Sequence, residues 1–516
     1  MKPELWRSLK HYDKKDLPKD LLAGLMVAII ALPLSIALGI QSGATLQMGI
    51  LTAIVAGFCI SALGGSRYQI GGPTAAFVVI IVGYLGDPAI GLTGLALATL
   101  AAGALLVILG FCRAGGLVRY IPYPIVIGFT TGIGVTLLVG QLKDLTGMRV
   151  PEVSWGGFVG KVIGLARGGN STDLLTLAVG VGTLALIYLI PKISKKLPAA
   201  FCAIILATLA TLAINTFVEG AAIPTIGSTY GQVKAEFPGI DLSGLGGIQF
   251  GKLVVPALVI AFLCAIESLL SASVADGMTG AEHDPNQELV GQGVANMASA
   301  LCGGLPATGA IARTAAGINS GAKSPLTGVF HAVFLLVMYL VLMPLMGFVP
   351  LTGLAAILIS VSLHMANFPV FFRLTTFGAR DCLVLLCACL LTVFFDLTYG
   401  VIGGFILCCL LYLPSLLSPA KIVGEAAEGD KITLKLSGKV CFLSVVRLQD
   451  SIAKKSADCR AVELDMAGVT AMDVTTAERL GKLGKKLGAK GVSLTLVSLD
   501  PALQKRYDRF QAEILK

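Results

Sequence analysis

Charged side chains are scarce: they make up 13% of the 516 residues against 55% hydrophobic, where an ordinary soluble chain carries about 25% charge. That balance excludes an ordinary water-soluble globule and points to a membrane protein. Histidine and tryptophan are nearly missing, at 4 and 2 residues. The 12 cysteines form no Cys-x-x-Cys pair, and most of them, such as Cys59, Cys112, Cys202, Cys264, Cys408 and Cys409, lie in apolar runs where a thiol packs as a small hydrophobe. Neither a disulfide framework nor a zinc site follows. The apolar runs carry no nucleophile–base pair and no metal-ligand set, so an enzyme is not expected and no cofactor is called for. No basic-aromatic patch marks a nucleic-acid surface. The net charge of +9 therefore reads as loop topology and attraction to anionic lipid headgroups. No short apolar core with a small-residue cleavage site opens the chain, so residues 1–20 read as a retained amphipathic cytoplasmic segment.

What the sequence has is apolar length. Runs such as 95–111, 174–190 and 253–275 recur between residues 21 and 417, and a hydrocarbon core of about 30 Å needs roughly 20 helical residues. With some broken segments included, about fourteen spans or part-spans are expected over residues 21–420. An even count puts both termini on one side. Basic loops stay cytoplasmic, and Lys2, Arg7, Lys10, Lys14, Lys15 and Lys19, the linker 191–198 with Lys192, Lys195 and Lys196, and Arg373 and Arg380 all fall inside if the N-terminus does. The loop with Lys143, Arg149, Lys161 and Arg167 falls outside, diluted by Asp144, Glu152 and Asp173. The expectation is a multi-pass protein of the inner (plasma) membrane with both termini cytoplasmic.

Two of the runs are interrupted. Residues 64–74 read GGSRYQIGGPT, and the apolar run after them, 73–86, spans only about 21 Å as a helix, too short to cross. Pro73 suits a first helical position, so a half-helix is expected to start near mid-membrane around Thr74. Residues 302–313, CGGLPATGAIAR, form a second break followed by a short run to Asn319. Gly72 lies 39 residues after Pro33, and Gly309 lies 42 after Glu267. Matched breaks in two halves of a chain mark inverted repeats and a transporter site. The free N–H groups and positive dipole ends near Thr74 and Ala310 would attract an anion. The plainer alternative is that glycine-rich turns connect tightly packed spans.

Glu267 is the only charged residue of 253–275, where an ionised carboxylate costs at least about 2.5 kcal/mol. Ser271, four positions on, shares its helix face and offers a carboxylate–hydroxyl pair for a proton or Na⁺. The alternative is a structural pair, with Glu267 neutral or bonded to Arg313. Arg313 falls about one turn into the second half-helix, where its guanidinium would raise anion affinity or serve structure alone. Pro33 is expected to kink or break the first span, with Ser35 lining the cavity. His331 and His364 are given no role.

After Pro419 hydrophobicity falls and charge rises, marking a domain boundary within 423–430. Strand-like pieces at 432–436, 440–446, 461–466 and 492–497, with helical spacing at 475–487 and 501–514, describe a small α/β domain over 430–516.

The segments ALPLSIALG (31–39), GGSRYQIGGPTA (64–75), IESLLSASVAD (266–276) and GGLPATGAIART (303–314) resemble the SulP family of anion transporters. The tail segment VELDMAGVTAMDVTT (462–476) resembles a STAS domain. The resemblance implies an all-α membrane domain with a seven-plus-seven inverted repeat (about 21–217 and 252–418), core and gate subdomains, elevator motion and a homodimer. It also implies anion contacts at Thr74, Ala75, Ala76, Gly309 and Ala310, with Arg313 beside them and Leu34, where animal relatives carry glutamine, lining the cavity with Ser35. Sodium-coupled bicarbonate members have Asp at the position of Glu267, with a hydroxyl where Ser271 stands. Carried over, that places Na⁺ at Glu267, Ser271 and Gly309, while glutamate resembles proton-coupled transporters of dicarboxylates such as fumarate or succinate. Bicarbonate and sulfate remain open as substrates. In the tail, Asp473 and Thr475 sit where some STAS domains are phosphorylated, or they cap a helix; a cytoplasmic protein partner is a further expectation. A receptor or scaffold signalling through the STAS domain is the competing reading of another class, and a nucleobase transporter is disfavoured by the tail.

Overall fold

The computed structural model describes residues 2–151, 157–194, 197–240, 246, 248–395, 397–428, 430–456, 459–489 and 491–514. Glu152, Lys195 and Lys196 lie outside the described residues. In chain order the principal elements of the membrane part are helices α1 (Leu17–Gln41) and α2 (Leu46–Leu63), strand β1 (Gly71–Gly72), helices α3 (Ala75–Gly86), α4 (Gly91–Phe111), α5 (Tyr123–Thr146), α6 (Leu174–Ile193), α7 (Ala199–Phe217), α8 (Phe250–Thr279) and α9 (Pro285–Leu301), strand β2 (Thr308–Gly309), and helices α10 (Ile311–Asn319), α11 (Leu326–Met346), α12 (Leu351–Ala366), α13 (Ala379–Phe394) and α14 (Leu397–Leu417). Among the described residues nine helices are long and apolar enough to cross a membrane. The chain divides into two compact units, one of residues 1–116 and 134–364, the other of residues 117–133 and 365–516.

In the first unit both interruptions are present. Helix α3 has 12 residues and α10 has 9. The strands before them pair antiparallel, Gly71 opposite Gly309 and Gly72 opposite Thr308. Irregular backbone at membrane depth survives only where protein satisfies its polar groups, and here side chains from neighbouring helices do so. Before α10, Asn296 of α9 accepts from Ala307 N–H and donates to Ala307 C=O, both at 2.9 Å. Thr52 of α2 accepts from Leu305 N–H, and Ser299 donates to Leu305 C=O. Before α3, the buried Glu288 carboxylate accepts from Gly65 and Ser66 N–H, while Thr314 accepts from Ile70 N–H.

Two expectations need correction in this unit. Pro73 is not the first helical residue: Thr74 takes the N-cap with extended backbone (φ −124°, ψ 156°) and the helix starts at Ala75. The Pro73 carbonyl instead accepts from Arg313, which draws the chain out ahead of the helix. Of the kink or break expected at Pro33, the break is absent, since α1 runs on through it for 25 residues. The proline costs one backbone bond, and Ser35 Oγ donates to Ala31 C=O at 2.7 Å beside it. Residue 20 proves to be an anchor inside α1: buried Asp20 accepts from the N–H groups of Lys323 and Ser324 and from the hydroxyls of Tyr12, Ser324 and Thr327.

The second unit carries the C-terminal domain. Strands β3 (Lys421–Glu428), β4 (Lys431–Val440), β5 (Ala461–Met472) and β6 (Ser493–Val497) form one sheet in the order β3-β4-β5-β6. The β3–β4 pair is antiparallel and the other two are parallel. Helices α15 (Ser444–Lys455), α16 (Val474–Ala489) and α17 (Pro501–Ile514) accompany it. Buried Leu434, Leu436, Val462, Leu464 and Met466 alternate along β4 and β5 and share a core with Val445, Ile452 and Leu480 from the helices. The run 440–446, read as a strand, is the end of β4 and the start of α15; a short apolar run does not distinguish the two by periodicity. The whole is a mostly helical multi-pass membrane protein with an α/β domain at its C-terminal end.

Candidate functional site

The β1–β2 ladder sets the two breaks side by side, and the chain leaves it toward α3 and toward α10 at opposite ends. Neither N-cap, Thr74 or Ala310, makes a side-chain capping bond. First-turn N–H groups have no carbonyl behind them in the helix, which leaves those of Ala75 and Ala76 and those of Ile311 and Ala312 as donors. The second pair corrects an expectation. Gly309 N–H donates to Ser268 Oγ at 3.1 Å and Ala310 N–H to Ile70 C=O at 3.0 Å, so both are already engaged, and the donors at this end begin at Ile311. The sequence reading placed the helix start early because helix boundaries are its weakest output.

Thr74 does not cap α3 because its hydroxyl is used elsewhere. Its Oγ1 donates to Glu267 Oε2 at 2.9 Å. Both residues are half-buried, whereas Ala75 and Ala76 beside them are buried. Glu267 therefore lies where the sequence put it, in the middle of α8, and touches the N-terminus of α3. Its hydroxyl partner is corrected: Ser271 is buried and its hydroxyl faces Thr314 at 3.5 Å. The serine on α8 that serves the ladder is Ser268, hydrogen-bonded to Thr308 Oγ1 at 2.6 Å as well as to Gly309 N–H.

Arg313, only 1% exposed, makes its hydrogen bonds away from Glu267. Nη1 donates to Gly71 C=O at 3.1 Å, and Nη2 donates to Ser35 Oγ at 3.1 Å and to Pro73 C=O at 3.4 Å. The guanidinium clips the extended chain before α3 to α1, a task suited to its planar fork of donors. Ser35 is buried as the acceptor of that clip, while the adjacent Leu34 is half-buried. Sequence reasoning missed Ser268, Glu288 and Asn296. A signal existed for two of them: Glu288, Gln292, Asn296 and Ser299 fall on one face of α9 at spacings of 4, 4 and 3, and a polar stripe in a span invites a polar partner. Among the described residues no group of three or more His, Cys, Asp or Glu side chains is arranged to hold a metal ion.

In the C-terminal domain Asp473 and Thr475 cap rather than present themselves. Asp473 accepts from the N–H groups of Thr476 and Phe442, each at 2.7 Å, and its burial pushes the carboxyl above the usual carboxylate range. Thr475 is 1% exposed and its Oγ1 accepts from Tyr123 N–H at 3.0 Å, at the start of α5. Asp381, in the first turn of α13, accepts from Tyr412 O–H at 2.7 Å and from Val474 N–H at 3.4 Å. This dock was not anticipated.

Residues 17–388 match the sulfate permease family and residues 423–514 match the STAS domain. YvdB of Bacillus subtilis, whose name proposes sulfate transport, is 35% identical over 499 residues, covering 95% of this chain and 93% of that one. The bicarbonate transporter BicA of Picosynechococcus is 29% identical over 486 residues, covering 89% and 84% of the two chains. The solved transmembrane domain of a cyanobacterial BicA is similar with a TM-score of 0.67 at 30% identity, over 76% of this chain and 98% of that one. SLC26A9 has a TM-score of 0.71 at 18% identity, over 98% and 89%, a likeness of fold. The relatives are transporters and not enzymes. On this evidence the chain is a multi-pass membrane transporter belonging to the sulfate permease family, with a C-terminal STAS domain.

Proposed function

We propose that the chain is a secondary active symporter of small anions, bound between the N-termini of α3 and α10 and coupled to protons through Glu267. The observation that carries this reading is the Thr74–Glu267 hydrogen bond, which joins the donor end of one half-helix to the carboxylate of the span. An ionised Glu267 repels an anion arriving at Ala75 and Ala76. A protonated Glu267 removes that charge, so anion and proton are held together or not at all. Thr74 serves both states, because its hydroxyl donates to the carboxylate and turns to the anion once the carboxyl carries its own proton. Arg313 stays as a positioning residue behind the extended chain.

On this reading helices α1–α14 are two sets of seven, in repeats of about 21–217 and 252–418, and the half-helices move as one body in an elevator motion. The termini are cytoplasmic, and the chain assembles as a homodimer in the inner membrane with the STAS domain free for a protein partner. The substrate class is inorganic or small organic anions, sulfate, bicarbonate or a dicarboxylate such as fumarate or succinate, because backbone N–H donors read charge and size. The test is flux into liposomes loaded with purified protein, offering sulfate, bicarbonate, chloride, fumarate and succinate under an imposed pH gradient. No uptake across the panel removes the transporter reading and leaves a receptor or scaffold signalling through the STAS domain.

A second reading, sodium-coupled bicarbonate symport, is supported by the oxygen pair of Glu267 and Thr74 together with the BicA relatives. Bicarbonate uptake driven by a Na⁺ gradient at equal pH on both sides selects it over proton coupling.

A further inference from the structure

The second unit holds a groove of about 610 Å³ that shares no lining residue with the half-helix site. It is lined by Lys421 and Ile422 at the start of β3, by Leu443, Arg447 and Leu448 at and just before the start of α15, and by Tyr120. Tyr120 stands three residues before α5 and Lys421 four after α14. Four residues of chain reach at most about 14 Å, so the groove opens at or just beyond the headgroup layer of a membrane crossed by those helices.

Its charge is uncompensated. The neighbouring carboxylates on the same elements are taken, Asp450 by Arg119 at 2.6 Å and Glu425 by Lys455. Among the described residues Lys421 and Arg447 form no ion pair and no carboxylate lines the groove. Two free cations in a groove also lined by Ile422, Leu443 and Leu448 match a phosphate joined to a glycerol and the first methylenes of its acyl chains.

We propose that this groove binds a phosphate group, carried by an anionic phospholipid of the leaflet on the STAS side. The lipid then bridges the last span to the first strand and the first helix of the STAS domain. A soluble phosphate ester would satisfy the same cations but leave the apolar lining uncovered.

The full-length protein, delipidated in detergent, is titrated with phosphatidylglycerol, with phosphatidylcholine and with sn-glycerol 3-phosphate, and retained ligand is counted by native mass spectrometry. Phosphatidylglycerol should be retained in preference to phosphatidylcholine. Lys421→Ala/Arg447→Ala should weaken its retention about thirtyfold, from about fivefold for each cation near a membrane surface. Lys454→Ala/Lys505→Ala, with the same loss of net charge on exposed positions outside the groove, should leave retention unchanged, and Arg447→Gln alone should fall between. Equal loss in both double variants, or none in the groove variant, overturns the site. Retention of glycerol 3-phosphate as strong as that of the lipid overturns the lipid as its source.

Discussion

On the proposed proton coupling, a single carboxylate, Glu267, decides whether the transporter accumulates its substrate or only equilibrates it. Glu267→Gln keeps the size of the side chain and an acceptor for the Thr74 hydroxyl but removes the titrating proton. The expected outcome is loss of pH-gradient-driven accumulation by at least tenfold, with anion exchange at equal pH partly retained. Liposome uptake with and without a gradient measures both, and gradient dependence like that of the wild type would take Glu267 out of the mechanism. Two glycines at the ladder set a second test. Gly72 has φ +150°, and a Cβ there would overlap Arg313 Nη1; one at Gly309 would overlap the amide of Gln69, a buried side chain with no hydrogen-bond partner among the described residues. Gly309→Ala should therefore be destabilising by about 1–3 kcal/mol, and Gln69→Ala in the same chain should restore most of that. Gly72→Ala should not be rescued by Arg313→Ala, because the backbone strain stays and two carbonyls lose their donor. Thermal unfolding in detergent reads all four variants. Glu267 was legible in the sequence because a lone charge stands out in an apolar run. Its partner Thr74 was not, since it lies 193 residues away and local spacing pointed to Ser271.

At the scale of elements, the half-helices could be read because they are short and glycine-flanked, and a span has a minimum length. What holds them could not be read so easily, because the donors and acceptors come from α2, α8 and α9, chosen by tertiary contact. Asn296 is the sharpest case, meeting both backbone groups of Ala307. Asn296→Ala leaves the Ala307 N–H unpaired in the interior of the first unit, at a cost of about 1–3 kcal/mol, and leaves the Ala307 C=O with the Cys264 thiol as its donor. The variant should unfold at a clearly lower temperature and transport poorly. Asn296→Asp keeps an acceptor for Ala307 N–H and loses the donor, so its loss should be smaller at a pH where the carboxyl is protonated. An Asn296→Ala protein as stable as the wild type would show that water or a local shift satisfies Ala307 instead.

On the scale of the molecule, the STAS domain is more than an appendage, because its helix α16 meets membrane helices at both Asp381 and Tyr123. Thr475 supplies the acceptor for the first backbone N–H of α5, an orphan donor by helix geometry. Its burial means that a kinase reaches the hydroxyl only after this contact opens, so the capping role holds in the docked state and any phosphorylation belongs to an undocked one. Thr475→Val keeps the shape and removes the acceptor. Losing a cap of about 1 kcal/mol should raise hydrogen exchange at the Tyr123 amide about fivefold in the full-length protein, with the sheet amides of β4 and β5 unchanged. Thr475→Glu adds charge and bulk to a buried position and should open the dock itself, raising exchange at Tyr123 and Val474 together. Exchange at Tyr123 that is the same in the wild type and in Thr475→Val would mean that α5 starts without the Thr475 cap.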